Sequence, residues 1–187
     1  MIKNKTESID GSPYYNEEFK LAKISSVEQS VKARYNAYKD EIELDNGKGE
    51  YFILPKEEKF KDIKTVNVPE YQYIELKDDD KIENGYAIVL TNVDQVMLLK
   101  RERIKYYPAE AASTSYSTAK RARYVTNKPI YYIKKNNEPA VPISKKDNII
   151  SLFPDKKDDL NSFFKEQKIS FKKEEDLVKL AQFLGTI

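Results

Sequence analysis

Val31-Lys32-Ala33-Arg34-Tyr35-Asn36-Ala37-Tyr38 decides the fold class. Val31, Ala33, Tyr35 and Ala37 alternate with Lys32, Arg34, Asn36 and Tyr38, a period of two that sorts the side chains onto opposite faces of an extended chain. Just downstream, Ile42 and Leu44, then Tyr51-Phe52-Ile53-Leu54, flank Asp45-Asn46-Gly47-Lys48-Gly49. Asn and Gly tolerate positive φ, so the segment predicts a hairpin, and Pro55 ends its second strand.

The same texture runs on to Ile143. Residues 56–62 read as a loop or helical turn. Val66-Asn67-Val68 and Tyr71-Gln72-Tyr73-Ile74-Glu75-Leu76 predict two strands separated by Pro69, followed by a turn from Asp78 to Gly85. Tyr86 to Leu90 and Val96 to Leu99 form the most apolar pair, broken at Asn92-Val93-Asp94, and predict a central hairpin. Residues 101–107 continue extended, with Ile104 and Tyr106 on one face and Arg103 and Lys105 on the other. Residues 108–118 are small and polar and read as a loop, although Ala and Glu also favour helix. Arg123-Tyr124-Val125 and Ile130-Tyr131-Tyr132-Ile133 predict strands around Asn127-Lys128-Pro129, and Asn136-Asn137-Glu138-Pro139 turns the chain into Val141-Pro142-Ile143.

After Ser144 the period changes to that of a helix. Ser144 and Asp147 are spaced as a capping box ahead of Ile149, Ile150, Leu152 and Phe153, and Pro154 stops that short helix. A second helix carries Leu160, Phe163 and Phe164 on one face. Glu174, Glu175 and Asp176 occupy the first turn of a third, where the helix dipole favours acids. Leu177, Leu180, Ala181 and Leu184 give its apolar stripe, and Gly185 ends it. At the other end, Gly11-Ser12-Pro13 signals a turn, and Tyr14, Tyr15 and Phe19 anchor a polar arm whose first ten residues should be mobile.

The expected class is therefore α+β: an antiparallel β-meander body with a mobile arm over residues 1–143, then a C-terminal unit of three short helices over 144–187, packed on the body as one domain. Its 187 residues contain no Cys, His or Trp but 14 Tyr and 8 Phe. This excludes disulfides, thiol and imidazole chemistry and the usual zinc ligands, while the aromatics supply enough apolar bulk for a core. No stretch approaches the roughly 20 apolar residues of a membrane-spanning helix, and the polar start shows no signal peptide.

The net charge of +2 conceals an asymmetry. Residues 36–96 carry 15 acidic and 8 basic side chains, net −7, whereas residues 97–135 carry 10 basic and 2 acidic, net +8. Acidic and basic strands lying side by side would neutralise each other across the sheet. Left open, the basic block would be a footprint for an anionic partner. Its tyrosines (106, 107, 116, 124, 131 and 132) interleave with Arg and Lys in the way that stacks and neutralises single-stranded nucleic acid. Adjacent tyrosines point to opposite faces, so each pair offers one ring per face.

Gly11-Ser12-Pro13-Tyr14, Asn16-Glu17-Glu18-Phe19 and Arg34-Tyr35-Asn36-Ala37-Tyr38-Lys39-Asp40-Glu41-Ile42-Glu43 resemble the opening of a group of small uncharacterised Bacteroidetes-type secreted proteins. Leu152-Phe153-Pro154-Asp155-Lys156-Lys157 and Lys168-Ile169-Ser170-Phe171-Lys172-Lys173-Glu174-Glu175-Asp176-Leu177 resemble their end. The resemblance implies a periplasmic or secreted location after signal-peptide removal, and no activity.

Motifs for chemistry are sparse. Asp78-Asp79-Asp80 with Glu83 fails the calcium-loop template, which needs Gly at the sixth position, and reads as a wet acidic turn. Glu41 and Glu43 share a strand face, as a glycosidase pair would, but without a facing carboxylate. The hydroxyls of residues 113–118 have no His beside them, and the 5 Gly are scattered rather than gathered into a phosphate loop. No catalytic residue, metal or cofactor is expected. The expected function is a non-catalytic envelope protein that binds another protein or joins an assembly, with Arg101, Arg103, Lys105, Tyr107, Arg121, Arg123 and Tyr132 as its contacts. The alternative is an anionic polymer, nucleic acid or acidic glycan, held by residues 97–135; nucleic acid is the less favoured of these.

Overall fold

A computed structural model describes residues 9–65, 70–78, 81–112 and 118–187. Ten strands come first: β1 (Lys20–Ile24), β2 (Val31–Asn36), β3 (Glu41–Asp45), β4 (Tyr51–Ile53), β5 (Asp62–Thr65), β6 (Tyr71–Asp78), β7 (Lys81–Val93), β8 (Val96–Tyr107), β9 (Arg123–Lys135) and β10 (Val141–Ile143). Three helices follow: α1 (Lys146–Leu152), α2 (Lys157–Gln167) and α3 (Glu174–Leu184). The strands form one antiparallel sheet of order β10-β9-β8-β7-β6-β5-β1-β2-β3-β4. It consists of two meanders, β1–β4 and β5–β10, joined where β5 pairs with β1. The α+β class, with strands and then helices, is the one expected.

The sheet curls. Ala140, just before β10, donates its N–H to the Glu75 carbonyl (2.9 Å) and accepts from the Lys77 N–H (2.8 Å), closing β6 through β10 into a ring. Ile74, Leu76, Ala87, Leu99, Tyr132 and Ala140 fill that ring. On the opposite face of the same long strands the N-terminal meander folds over and buries Ile24, Tyr35, Ile42, Ile63, Tyr86 and Ile104 together. The helices cover the remainder: Leu98, Ile133 and Ile143 share one cluster with Ile149, Leu160, Leu177, Leu180 and Leu184. Leu177, Leu180, Ala181 and Leu184 are all buried, as the stripe requires. A Cβ on Gly185 would lie 2.6 Å from Val93 Cγ1, so glycine lets the end of α3 press onto the end of β7.

Several local expectations change. Residues 81–85 are strand rather than turn: Asp78 pairs with Lys81, so the hairpin is tight and Glu83, Asn84 and Gly85 continue the ladder against β6. β9 is a single strand, because Pro129 falls at a register irregularity opposite Arg101 and Arg103, where its missing N–H breaks no ladder bond. In the β3–β4 loop Gly47 takes φ 73°, and Gly49 at 83° supplies the second left-handed residue in place of Asn46. Asn46 instead accepts the Lys48 and Glu50 N–H groups on Oδ1. The cap of α1 is Asn148, whose Oδ1 accepts the Ser144 and Lys145 N–H groups, rather than Asp147. Of the ten residues expected to be mobile, 1–8 lie outside the described residues, while Asp10 bonds Ala122 and Tyr124 through its backbone. The strand at Val66-Asn67-Val68, Pro69, Asp79, Asp80 and residues 113–117 also lie outside the described residues.

Candidate functional site

The β8–β9 ribbon carries most of the expected contact residues. Arg103 sits opposite Asn127, Lys105 opposite Val125 and Tyr107 opposite Arg123. Directly opposed residues share a face, so these six lie together. Arg103, Lys105, Arg121 and Arg123 make no ion pair among the described residues. Tyr107 lies between two of them, with Lys105 Nζ and Arg123 Cζ each 5.1 Å from its ring centroid. Two expected members are elsewhere. Arg101 binds Glu83 at 2.6 Å and lies 3.8 Å from Asp40, so neutralisation by the acidic block is realised at this arginine. Tyr132 is 1% exposed inside the ring, which takes it off the surface.

Other tyrosines of the basic block are also spent on packing. Tyr106 and Tyr124 pack on each other and on Tyr38, with centroids 5.2 to 6.1 Å apart. Tyr131 donates to Glu174 on α3 (3.1 Å), beside the Lys100–Glu174 ion pair at 2.9 Å. Tyr116 lies outside the described residues. The stacking platform reduces to one ring, Tyr107, among the described residues.

The carboxylates at the hairpin are structural. Glu43 is fully buried and accepts from Arg34 Nε (2.7 Å), Asn36 Nδ2 (2.9 Å) and the Tyr14 hydroxyl (2.9 Å). Arg34 lies over the rings of Tyr14 and Phe19, at 4.0 and 4.3 Å, so this knot fastens the arm to β2 and β3. Burial, and then the Glu43 hydrogen bond, push the Tyr14 phenol well up, which keeps it a neutral donor. Asp40 accepts from the Tyr35 hydroxyl, the Tyr86 N–H and Lys56. Its four-way contact, with Arg101 as the fourth, holds the N-terminal meander against β7 and β8. Glu41 and Glu43 therefore do not form an acid–base pair: one of them is locked in the knot.

The feature least visible in the sequence is β4. Its Tyr51, Phe52 and Ile53 are 42%, 65% and 43% exposed. Among the described residues β4 pairs only with β3, and the opposite end of the sheet is closed by Ala140 on β6, so β4 is the open end of the described sheet. The Asn46 N–H bonds Glu50 and the Leu54 N–H bonds Ile42. By antiparallel alternation Phe52 faces its partner Leu44, and the N–H and C=O groups of Tyr51 and Ile53 point out from the edge. An apolar run of this kind ordinarily reads as buried. The signal against that was its shortness, between Gly49 and Pro55, because proline marks strand ends and edges.

No known protein family, curated protein or solved structure matches the chain.

Proposed function

We propose that this is a non-catalytic binding component of the cell envelope, which takes up an extended segment of a partner protein as an added strand along β4. The observation that carries this reading is the open edge itself: three adjacent apolar side chains exposed beside backbone donors and acceptors that pair with none of the described residues. Natural sheets blunt such edges with charge, proline or cover, and an edge left apolar pairs with another chain. A fitting partner strand is apolar at alternate positions, since Tyr51 and Ile53 face one side and Phe52 the other. The envelope location rests on the resemblance of the two ends of the chain. The absence of His and Cys from the sequence, and the locking of Glu43, favour binding over catalysis.

Ile53→Pro tests the reading. It removes an outward N–H without touching the β3–β4 ladder, so the melting temperature should hold while partner affinity falls by about tenfold or more. Unchanged affinity overturns the reading.

A second reading has its own observation: Arg103, Lys105, Arg121 and Arg123 make no ion pair among the described residues, and two of them, Lys105 and Arg123, lie over the Tyr107 ring. An acidic polysaccharide such as heparin should then bind with strong salt dependence, and Arg103→Ser with Arg123→Ser should flatten the salt slope by about two. Binding that ignores both salt and substitution removes this alternative.

A further inference from the structure

A cleft of about 580 Å³ opens where the ring of β6–β10 meets the chain between β4 and β5. That is within the size range of small-molecule sites, roughly 300–1,000 Å³. Two turns build its rim: Asp94-Gln95 between β7 and β8, and Asn136-Asn137-Glu138 between β9 and β10. The turns are tied together, with the Asn136 N–H bonding the Gln95 carbonyl at 2.7 Å. Lys134 Nζ fastens the second turn from within, donating to the Asn136 carbonyl (2.8 Å) and the Glu138 carbonyl (3.1 Å). The rim is thus set before any ligand arrives, which lowers the ordering cost of binding.

The lining is rich in amides. Asn84, Asn92, Gln95, Asn136 and Asn137 all reach it, and their side chains make no hydrogen bond among the described residues. Each amide side chain offers two donors and an acceptor with two lone pairs. Hydroxyl groups also donate and accept, so a surface of free amides matches a polyol on both counts. The charges argue against an anion. Glu58, Glu75, Asp94 and Glu138 outnumber Lys61 and Lys134. Both ammonium groups are already engaged, Lys61 with Glu58 at 2.8 Å and Lys134 with the rim carbonyls. Tyr73 and Met97, both half-buried, add apolar surface for the C–H face of a sugar ring.

We propose that this cleft binds a neutral oligosaccharide, through the free amides of its two turns and of β7. The site is separate from β4 and from the basic ribbon, so it stands or falls independently of the partner strand.

Calorimetric titration of the full chain with cellohexaose, maltohexaose, xylohexaose, mannohexaose and chitohexaose provides the test. At least one should bind saturably in the millimolar range or tighter. Asn92→Ala with Asn137→Ala should weaken it by about tenfold at an unchanged melting temperature. Should that pair disturb the fold, Asn84→Ala, on β7, should weaken binding in the same sense. Raising salt from about 0.05 to about 0.5 M should leave affinity unchanged, in contrast with a polyanion. Ile53→Pro should leave it unchanged as well. Failure of every sugar to bind, equal binding by the amide variants, or loss of binding with salt would each overturn the proposal.

Discussion

Gly47 and Glu102 show how much can rest on a single residue. Gly47 holds φ 73°, and nothing lies within 4 Å of where its Cβ would be, so substitution there meets backbone strain and no steric clash. Gly47→Val should cost on the order of 1 kcal/mol, read as a lowered melting temperature; an unchanged one would contradict the turn. Glu102 sits on β8 with a buried Oε2 that has no hydrogen-bond partner among the described residues. Burial raises its pKa, and Lys100 and the Tyr71 hydroxyl pull it down by less. The folded state therefore holds this proton more tightly than the unfolded chain. Stability falls as pH rises from the ordinary carboxylate value of about 4.3 through the raised one, and neutral protein bears the full cost. Glu102→Gln should accordingly raise the melting temperature at neutral pH, with the gain fading in acid. A loss at neutral pH would mean that the charge is needed. The Gly47 turn was legible in the sequence, since a hairpin there calls for a residue that tolerates positive φ. The role of Glu102 was not, because it reads there as one acid in a basic block and only the tertiary fold buries its Oε2.

Elements with a clean period were the most legible. The stripe of α3 named its buried residues, and the alternation in β2 named Ala33 and Tyr35, because burial follows the period when one face meets the core. Asn36, on the other face of β2, is buried as well, where it donates to Glu43. Elements failed where a local signal competed with a ladder. Asn84-Gly85 looks like a turn but lies in β7, because eight cross-strand pairs with β6 outweigh local preference. Pro129 looks like a strand break but is absorbed by the irregularity in β9. The helices share their core with β8, β9 and β10, through Leu98, Ile133 and Ile143. Each is also shorter than the roughly 12–15 residues at which an isolated helix is marginal in water. Leu180→Asp, placing a charge at a fully buried position, should destabilise the whole protein by several kcal/mol or abolish folding. The isolated fragment 144–187 should show no cooperative melt. A cooperative melt of that fragment, with residues 1–143 unaffected by its removal, would make the helices a separate module.

Across the whole molecule, a β body followed by three helices was readable, and the strand order and closure of the sheet were not. Nothing local in Ala140 announces that it will bond β6, yet that contact closes the ring, forms the cleft and leaves β4 as the open end. The basic block was readable as charge, but that Asp40 and Glu83 reach Arg101 across the sheet was not. No helix among the described residues is long and apolar enough to cross a membrane. A photo-crosslinking side chain placed at position 52, and in parallel at position 105, in the cells that make the protein, puts the edge to the test. A discrete protein adduct at 52, absent at 105 and abolished by Ile53→Pro, is the predicted result. Crosslinking at 105 alone, or an adduct at 52 that survives Ile53→Pro, would contradict strand addition along β4.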